Sequence, residues 1–116
     1  MTTTSLQKMF ERQAELQKMF GYEFEKMTVI EKEQLTKDMV LYLLEETHEL
    51  LRETNFKTHK KVRKEVNRDN IKEELSDILH FFINLCLVWD VSVENLEEAF
   101  FKKNKKNVAR ISNSKY

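Results

Sequence analysis

Apolar residues recur at helical spacing along most of the chain. In the first segment they follow an i, i+3, i+4 pattern that predicts a helix from Ser5 to Phe20. This helix is expected to end at Gly21, because glycine adopts the left-handed C-cap conformation without strain. The stripe consists of Leu6, Met9, Phe10, Leu16, Met19 and Phe20.

A capping motif indicates the start of the second helix. Thr28 and Glu31 have the spacing of a capping box, in which each side chain binds a backbone amide of the other residue. From Thr28 the apolar stripe continues to about Thr54, which makes this helix long for a globular protein.

Two more helices follow an irregular, basic stretch. Residues Asn55 to Asp69 have no helical pattern and contain six lysine or arginine side chains. The third helix is predicted from its N-cap Asn70 to Trp89. Ser92 is expected to cap a fourth helix, which runs through the two phenylalanines at 100 and 101 into a polar tail.

Composition supports an all-α protein. With one glycine and no proline in 116 residues, the chain lacks the turns of a β-sandwich and the glycine loops of a nucleotide-binding α/β fold. The length suits one domain over residues 1–116. We therefore expect a four- to five-helix bundle with a basic inter-helix loop. Because the apolar run Ile78–Trp89 has more apolar surface than a small bundle covers, we expect a dimer or higher homo-oligomer.

Charge and cysteine usage limit the partners. Twenty basic and twenty acidic residues give a net charge of zero, so neither nucleic acid nor a membrane surface is expected to bind. The run Ile78–Trp89 is shorter than the ~20 residues that span a bilayer, and Met1–Gln7 has no signal-peptide core. The single Cys86 excludes a disulfide framework and suits a reducing cytoplasm, including that of a phage host.

Two pairs of carboxylates are the strongest chemical signal. Glu46 with Glu49, and Glu74 with Asp77, are each three residues apart and therefore share a helix face. If their helices pack antiparallel, four carboxylates converge, and a divalent cation offsets their repulsion. An all-oxygen ligand set favours Mg²⁺, with Mn²⁺ as a substitute. With twenty acidic residues in the chain, solvated helix faces remain the alternative.

A di-iron centre is a second interpretation of the same residues. Glu45 with His48, and Asp77 with His80, have the carboxylate-x-x-His spacing of di-iron bundles. That site also needs an inward glutamate from each of the other two helices, and no convincingly buried face offers one.

The two acidic motifs resemble those of the all-α nucleoside triphosphate pyrophosphohydrolases, which include MazG-like enzymes, dCTP pyrophosphatases and dimeric dUTPases. The dimeric dUTPase branch is the most similar, because four further segments match in order. These are Gln13 with Leu16, the segment Phe56–Lys60, the segment Asp77–Phe81 with Asn84, and the tail Lys103–Arg110. In the segment Phe56–Lys60, Phe56 and His59 occupy positions where the family usually has tryptophan.

The resemblance implies an Mg²⁺-dependent enzyme that cleaves a deoxynucleoside triphosphate between the α and β phosphates, with dUTP as the favoured substrate. The products are a nucleoside monophosphate and pyrophosphate. Glu46 and Glu49 are the catalytic candidates and, with Glu74 and Asp77, the metal ligands. Phosphate contacts are implied for Lys57, Lys60, Lys103 and Arg110, and nucleotide contacts for Gln13, Phe56, His80, Asn84, Asn104 and Asn107.

Two other functions stay open at this point. One is a MazG-like hydrolase that acts on another or a non-canonical deoxynucleoside triphosphate. The other is a helical oligomerisation module without catalysis, in which the carboxylates are solvated. Hydrolysis of nucleotides distinguishes the MazG-like enzyme from the oligomerisation module. A rise in melting temperature with Mg²⁺ distinguishes a metal site from solvated carboxylates.

Overall fold

A computed structural model describes residues 4–113, and these form four α-helices, one 3₁₀ turn and no strand. The helices are α1 (Ser5–Met19), α2 (Val29–Arg52), α3 (Arg68–Val88) and α4 (Val93–Ser112), and the turn is Phe24–Lys26. The all-α prediction is confirmed. Met1–Thr3 and Ser114–Tyr116, which belong to the expected domain 1–116, lie outside the described residues.

The predicted helix signals at Gly21 and Thr28 are present. Gly21 has φ of 93°, and α1 ends just before it with Phe20 as the C-cap. The Glu31 amide donates to Thr28 Oγ1 over 3.2 Å, and the Thr28 amide donates to Glu31 Oε1 over 3.1 Å, which completes the capping box. Helix α2 ends at Arg52, two residues before the predicted end.

The predicted start of the third helix at Asn70 is wrong. Asn67 is the N-cap instead, because its side-chain oxygen accepts hydrogen bonds from the amides of Asp69 and Asn70. The Asn70 side chain donates to Glu53 at the end of α2, over 3.3 Å. Helix α4 begins after Ser92 as predicted, and it continues through the expected polar tail to Ser112.

Helices α2 and α3 pack antiparallel over most of their length. Asn70, near the start of α3, contacts Glu53 after the end of α2. At the other end, Trp89 Nε1 donates to Thr36 Oγ1 over 2.7 Å. Helix α1 lies against the C-terminal half of α3, where Phe10, Ile83, Cys86 and Val93 form the buried core.

The described chain is elongated. Its radius of gyration is 17.9 Å, against about 13 Å for a compact domain of this length. Many large apolar side chains are exposed, among them Leu41, Leu44, Leu75, Phe100, Phe101 and Ile111.

No individual helix within residues 4–113 has the length and apolarity needed to cross a membrane. Helices α3 and α4 meet that criterion only as a pair, by length and composition, and they are bent by 108° at their junction.

Candidate active site

One face of α2 changes from apolar to acidic along its length. Positions 35, 39 and 42 of this face are Leu35, Met39 and Tyr42, and positions 46, 49 and 53 are all glutamate. The matching face of α3 runs in the opposite order, with Glu74 and Asp77 first and Phe81, Asn84 and Val88 after them. Because the two helices are antiparallel, their acidic ends meet and their apolar ends meet.

Three of the four predicted metal ligands come together at the acidic end. Glu46, Glu74 and Asp77 each place a carboxylate oxygen within 4.8 Å of the others. One oxygen of Glu46 and one of Glu74 are buried without a hydrogen-bond partner. Within residues 4–113 no lysine or arginine forms an ion pair with this acidic cluster. Buried oxygens that lack a donor are suited to a hard divalent cation, so the donor set fits Mg²⁺ or Mn²⁺.

The fourth predicted ligand, Glu49, lies beside the cluster and acts on it electrostatically. Burial raises the pKa of Glu46 to about 7, and the charges of Glu49, Asp77 and Glu74 add to the effect. The pKa of Glu74 is raised by the same causes, first by burial and then by Glu49. Burial and the neighbouring carboxylates therefore disfavour the charged forms of Glu46 and Glu74, as expected for like charges removed from water.

A cavity of about 470 Å³ lies next to the acidic cluster, between α1, α2 and α3. Gln13, His80 and Asn84, three of the predicted nucleotide-contacting residues, line it together. Gln13 and Asn84 are both buried, and Gln13 Nε2 donates to Asn84 Oδ1 over 2.6 Å. This amide pair joins α1 to α3 and offers further donor and acceptor atoms to a ligand.

Several residues of this cavity were not predicted from the sequence. Gln17 is buried and its Oε1 has no hydrogen-bond partner, while Asp38 and Tyr42 line the α2 side. The Tyr42 ring lies 5.8 Å from that of Phe81, measured between centroids. The signal for Gln17 was its position one helical turn after Gln13, on the same face of α1.

His80 is fixed by a backbone contact. Its Nδ1 lies 2.7 Å from the carbonyl oxygen of Ser76, so Nδ1 carries the proton and donates it to that oxygen. Nε2 then remains for another partner. This orientation agrees with a residue that lines a polar cavity.

The predicted residues of the basic loop lie elsewhere. Phe56, Lys57 and Lys60 line a separate cavity of about 710 Å³, together with His48 and Arg52 of α2. At 100° per residue, His48 and Arg52 lie on a different face of α2 from the acidic stripe. The structure therefore brings neither Phe56 to the Gln13–Asn84 cavity nor His48 to the acidic cluster, and the di-iron arrangement is not assembled.

The loop that holds this cavity has a defined shape. Asn55 Oδ1 accepts from the Lys64 amide over 2.9 Å, and Asn55 Nδ2 donates to the Lys64 carbonyl over 3.0 Å. The Lys64 ammonium group donates to the carbonyl of Arg52. These contacts join residues nine to twelve positions apart and close the loop on the end of α2.

The four predicted residues of the tail all lie on α4 and do not line either cavity. Lys103, Asn107 and Arg110 are spaced i, i+4 and i+7, so they share one face of the helix, whereas Asn104 lies toward another. Helix α4 leaves the end of α3 at 108°, and the structure does not bring this face to the acidic cluster.

A comparison with protein families shows which family the chain belongs to. A family model described as dUTPase matches residues 5–93. The chain belongs to this dUTPase family. The match to the dUTPase family includes both acidic motifs and the Gln13–Asn84 cavity, and it ends before the tail motif of α4. No curated protein and no solved structure matches the chain significantly.

Membership of the dUTPase family indicates a nucleotide hydrolase, for which the acidic cluster is the candidate active site.

Proposed function

We propose that the protein is an Mg²⁺-dependent deoxynucleoside triphosphate pyrophosphohydrolase. It would cleave between the α and β phosphates and release a nucleoside monophosphate and pyrophosphate, with dUTP as the favoured substrate. The proposal assigns the acidic cluster of Glu46, Glu74 and Asp77, with Glu49 beside it, to the triphosphate. It assigns the cavity of Gln13 and Asn84 to the base.

The observation that carries the proposal is the position of the cavity relative to the cluster. Tyr42 and Phe81 line the cavity. Glu46 lies four residues after Tyr42 on α2, and Asp77 lies four residues before Phe81 on the antiparallel α3. Four residues correspond to about one helical turn, or ~5.4 Å along each helix. A nucleotide with its base between Gln13 and Asn84 would thus extend its phosphates toward the carboxylates.

The chemical roles divide among the residues of the cluster and the cavity. A bound divalent cation would neutralise phosphate charge and polarise the scissile phosphorus–oxygen bond. Glu46, Glu74 and Asp77 would hold it, and Glu49 or Glu46 would accept the proton of the attacking water on a carboxylate oxygen. The amide groups of Gln13 and Asn84 would donate to and accept from the base edge. The family resemblance assigns phosphate contacts to Lys57 and Lys60 as well, which line the separate loop cavity in this structure.

The test is turnover of dUTP, dCTP, dGTP and dATP with Mg²⁺, with the products identified. We expect monophosphate and pyrophosphate in a 1:1 ratio, and the highest kcat/KM for dUTP. A higher kcat/KM for another deoxynucleoside triphosphate would indicate a MazG-like substrate preference instead of dUTP. Phe56 does not line the Gln13–Asn84 cavity, so the base preference needs to be measured directly. Absence of turnover on all four substrates would contradict the enzyme itself.

A further inference from the structure

The basic loop between α2 and α3 holds a cavity apart from the acidic cluster. This loop cavity is lined by the end of α2 and by side chains between positions 54 and 64. Its volume of about 710 Å³ exceeds the 470 Å³ of the Gln13–Asn84 cavity. Cavities that bind small molecules measure ~300–1,000 Å³, so a ligand as large as a nucleotide fits here.

The lysines and arginines that line the loop cavity have no acidic counterpart there. They are Arg52, Lys57, Lys60, Arg63 and Lys64, and no aspartate or glutamate lines the cavity with them. Within residues 4–113 none of these five side chains forms an ion pair with a carboxylate. Charges of one sign around a concave surface reinforce one another's potential, so the loop cavity attracts anions although the whole chain has no net charge.

The loop is held in shape by its own hydrogen bonds. The Asn55 side chain bonds to both the amide and the carbonyl group of Lys64, and the Lys64 ammonium group donates to the Arg52 carbonyl. The Lys60 amide donates to the Lys57 carbonyl over 3.1 Å. Because these bonds organise the backbone around the cavity, an anion that binds there orders side chains rather than the whole loop, which lowers the entropy cost of binding.

The basic groups indicate which class of anion fits. The Lys64 ammonium group already donates to a carbonyl, so four basic side chains remain for a ligand. Arg52 and Arg63 are two of them, and a guanidinium group donates two parallel hydrogen bonds to phosphate oxygens. Several phosphates in a chain match four positive charges, whereas one carboxylate or one phosphate does not.

The loop cavity and the acidic cluster lie on different faces of α2. His48 and Arg52 line the loop cavity, while Glu46 belongs to the acidic cluster. At 100° per residue, His48 and Arg52 project away from the stripe that includes Glu46 and Glu49. An anion between Arg52 and Arg63 is therefore bound apart from the carboxylates, and its binding does not require a divalent cation.

From these observations we infer that the loop cavity is a second binding site, which takes a polyphosphate anion without a metal. The anion is either inorganic or the phosphate chain of a nucleotide. Arg52 and Arg63, which have no role in the proposed hydrolysis, bind its oxygens, and Lys57 and Lys60 add positive charge. The inference does not depend on the hydrolysis proposed above, because binding in the loop cavity is measured without Mg²⁺ and without turnover.

Calorimetric titration in metal-free buffer tests the inference, because carboxylates without a cation repel phosphates at the acidic cluster. The probes are inorganic tripolyphosphate and ATP. We expect each to bind once per chain, with an affinity that falls as the salt concentration rises. Phe56 places an aromatic ring in the same cavity, so tighter binding of ATP than of tripolyphosphate would identify the ligand as a nucleotide, and the reverse order would identify it as inorganic polyphosphate.

Variants locate the binding site. Arg52→Ala/Arg63→Ala should weaken the binding of tripolyphosphate by at least about 10-fold, because it removes two charge-assisted donors. Lys61→Ala/Arg68→Ala is the matched control, since it removes the same charge from residues of the same segment that do not line the cavity. This control should keep the wild-type affinity. Circular dichroism checks the helicity of each variant, and the exposed loop change Arg63→Glu replaces the double variant if that one is not folded.

Three results would overturn the inference. The first is the absence of binding of both probes to the wild type in metal-free buffer. The second is an equal loss of affinity in Lys61→Ala/Arg68→Ala and in Arg52→Ala/Arg63→Ala, which would show only general attraction to a basic loop. The third is tighter binding of a thymidine oligonucleotide than of either probe, which would make the loop a nucleic-acid surface instead. Asp77→Asn should bind tripolyphosphate as the wild type does, because Asp77 belongs to the acidic cluster.

Discussion

Glu46 lies where its charged form is disfavoured, since burial and three neighbouring carboxylates raise its pKa to about 7. In an unfolded chain the same carboxyl group titrates near 4.5. The protonated form is therefore favoured by folding, and the charged form is disfavoured. At the residue scale, the metal-free acidic cluster is a source of instability that a bound cation would relieve.

The stability of the metal-free protein should therefore fall as the pH rises. The raised pKa of Glu46 contributes its full stabilisation to the free energy of unfolding below pH 4.5. This contribution is lost as the pH rises through about 7. The expected loss from pH 5.5 to 8 is on the order of 1 kcal/mol, because solvent screens the partly exposed group. Thermal unfolding in a chelator measures it. Glu46→Gln should flatten this dependence, and an unchanged slope in that variant would exclude Glu46 as its source.

The buried pair of Gln13 and Asn84 sets a second expectation at this scale. Asn84→Ala leaves Gln13 Nε2 buried without its acceptor, which costs about 1–3 kcal/mol of stability. It should also lower kcat/KM for the preferred nucleotide by about 10–100-fold and reduce the preference among bases. Steady-state kinetics on all four substrates measures both effects.

Gln7→Ala is the matched control, because the Gln7 side chain lies on α1 and donates to exposed Glu11, while its backbone amide keeps the bond to the cap residue Thr4. This control should keep wild-type kinetics. Unchanged base preference in Asn84→Ala would contradict the assignment of the cavity to the base.

At the scale of the helices, much of the structure follows from local patterns. Thr28 and Ser92 cap α2 and α4 as predicted, because a hydroxyl followed three residues later by a polar side chain satisfies the first amides. The start of α3 was misplaced because Asn67 and Asn70 are both good caps. The contact of Asn70 with Glu53, seventeen residues away, is a tertiary interaction that the local sequence does not contain.

The acidic cluster was predictable for a similar reason, whereas the basic loop was not. Glu46 and Glu49 are three residues apart, as are Glu74 and Asp77, so each pair shares one helix face. Antiparallel packing of α2 and α3 then brings the two faces together. The path of the loop depends instead on the bonds of Asn55 to Lys64, so periodicity gave no information on which face of α2 Lys57 and Lys60 approach.

Backbone strain is located at Asp90, in the junction between α3 and α4. Asp90 has φ of 52°, the left-handed region that side chains other than glycine enter at a cost. Asp90→Gly should therefore stabilise the protein by about 0.5–1 kcal/mol, and Asp90→Val should destabilise it by more than about 1 kcal/mol. Denaturant unfolding at constant protein concentration measures both. Destabilisation by Asp90→Gly would show that the Asp90 side chain makes a contact worth more than the strain.

At the scale of the whole molecule, one chain leaves more apolar surface exposed than a stable monomer does. The exposed fractions of Phe100 and Phe101 are 62% and 66%, and the radius of gyration is that of an open shape. We expect a homo-oligomer at micromolar concentration, with a Tm that rises as the protein concentration increases. Sedimentation equilibrium measures the mass. A monomer with a concentration-independent Tm would contradict this expectation.

The proposed activity is hydrolysis of a nucleoside triphosphate at the acidic cluster between α2 and α3, with a divalent cation. The most direct measurement is ³¹P NMR of dUTP with Mg²⁺, comparing the wild type with Asp77→Asn. We expect dUMP and pyrophosphate from the wild type and a reaction at least ~100-fold slower from the variant, with helicity retained in both. Release of inorganic phosphate and dUDP, or equal rates for the two proteins, would contradict it.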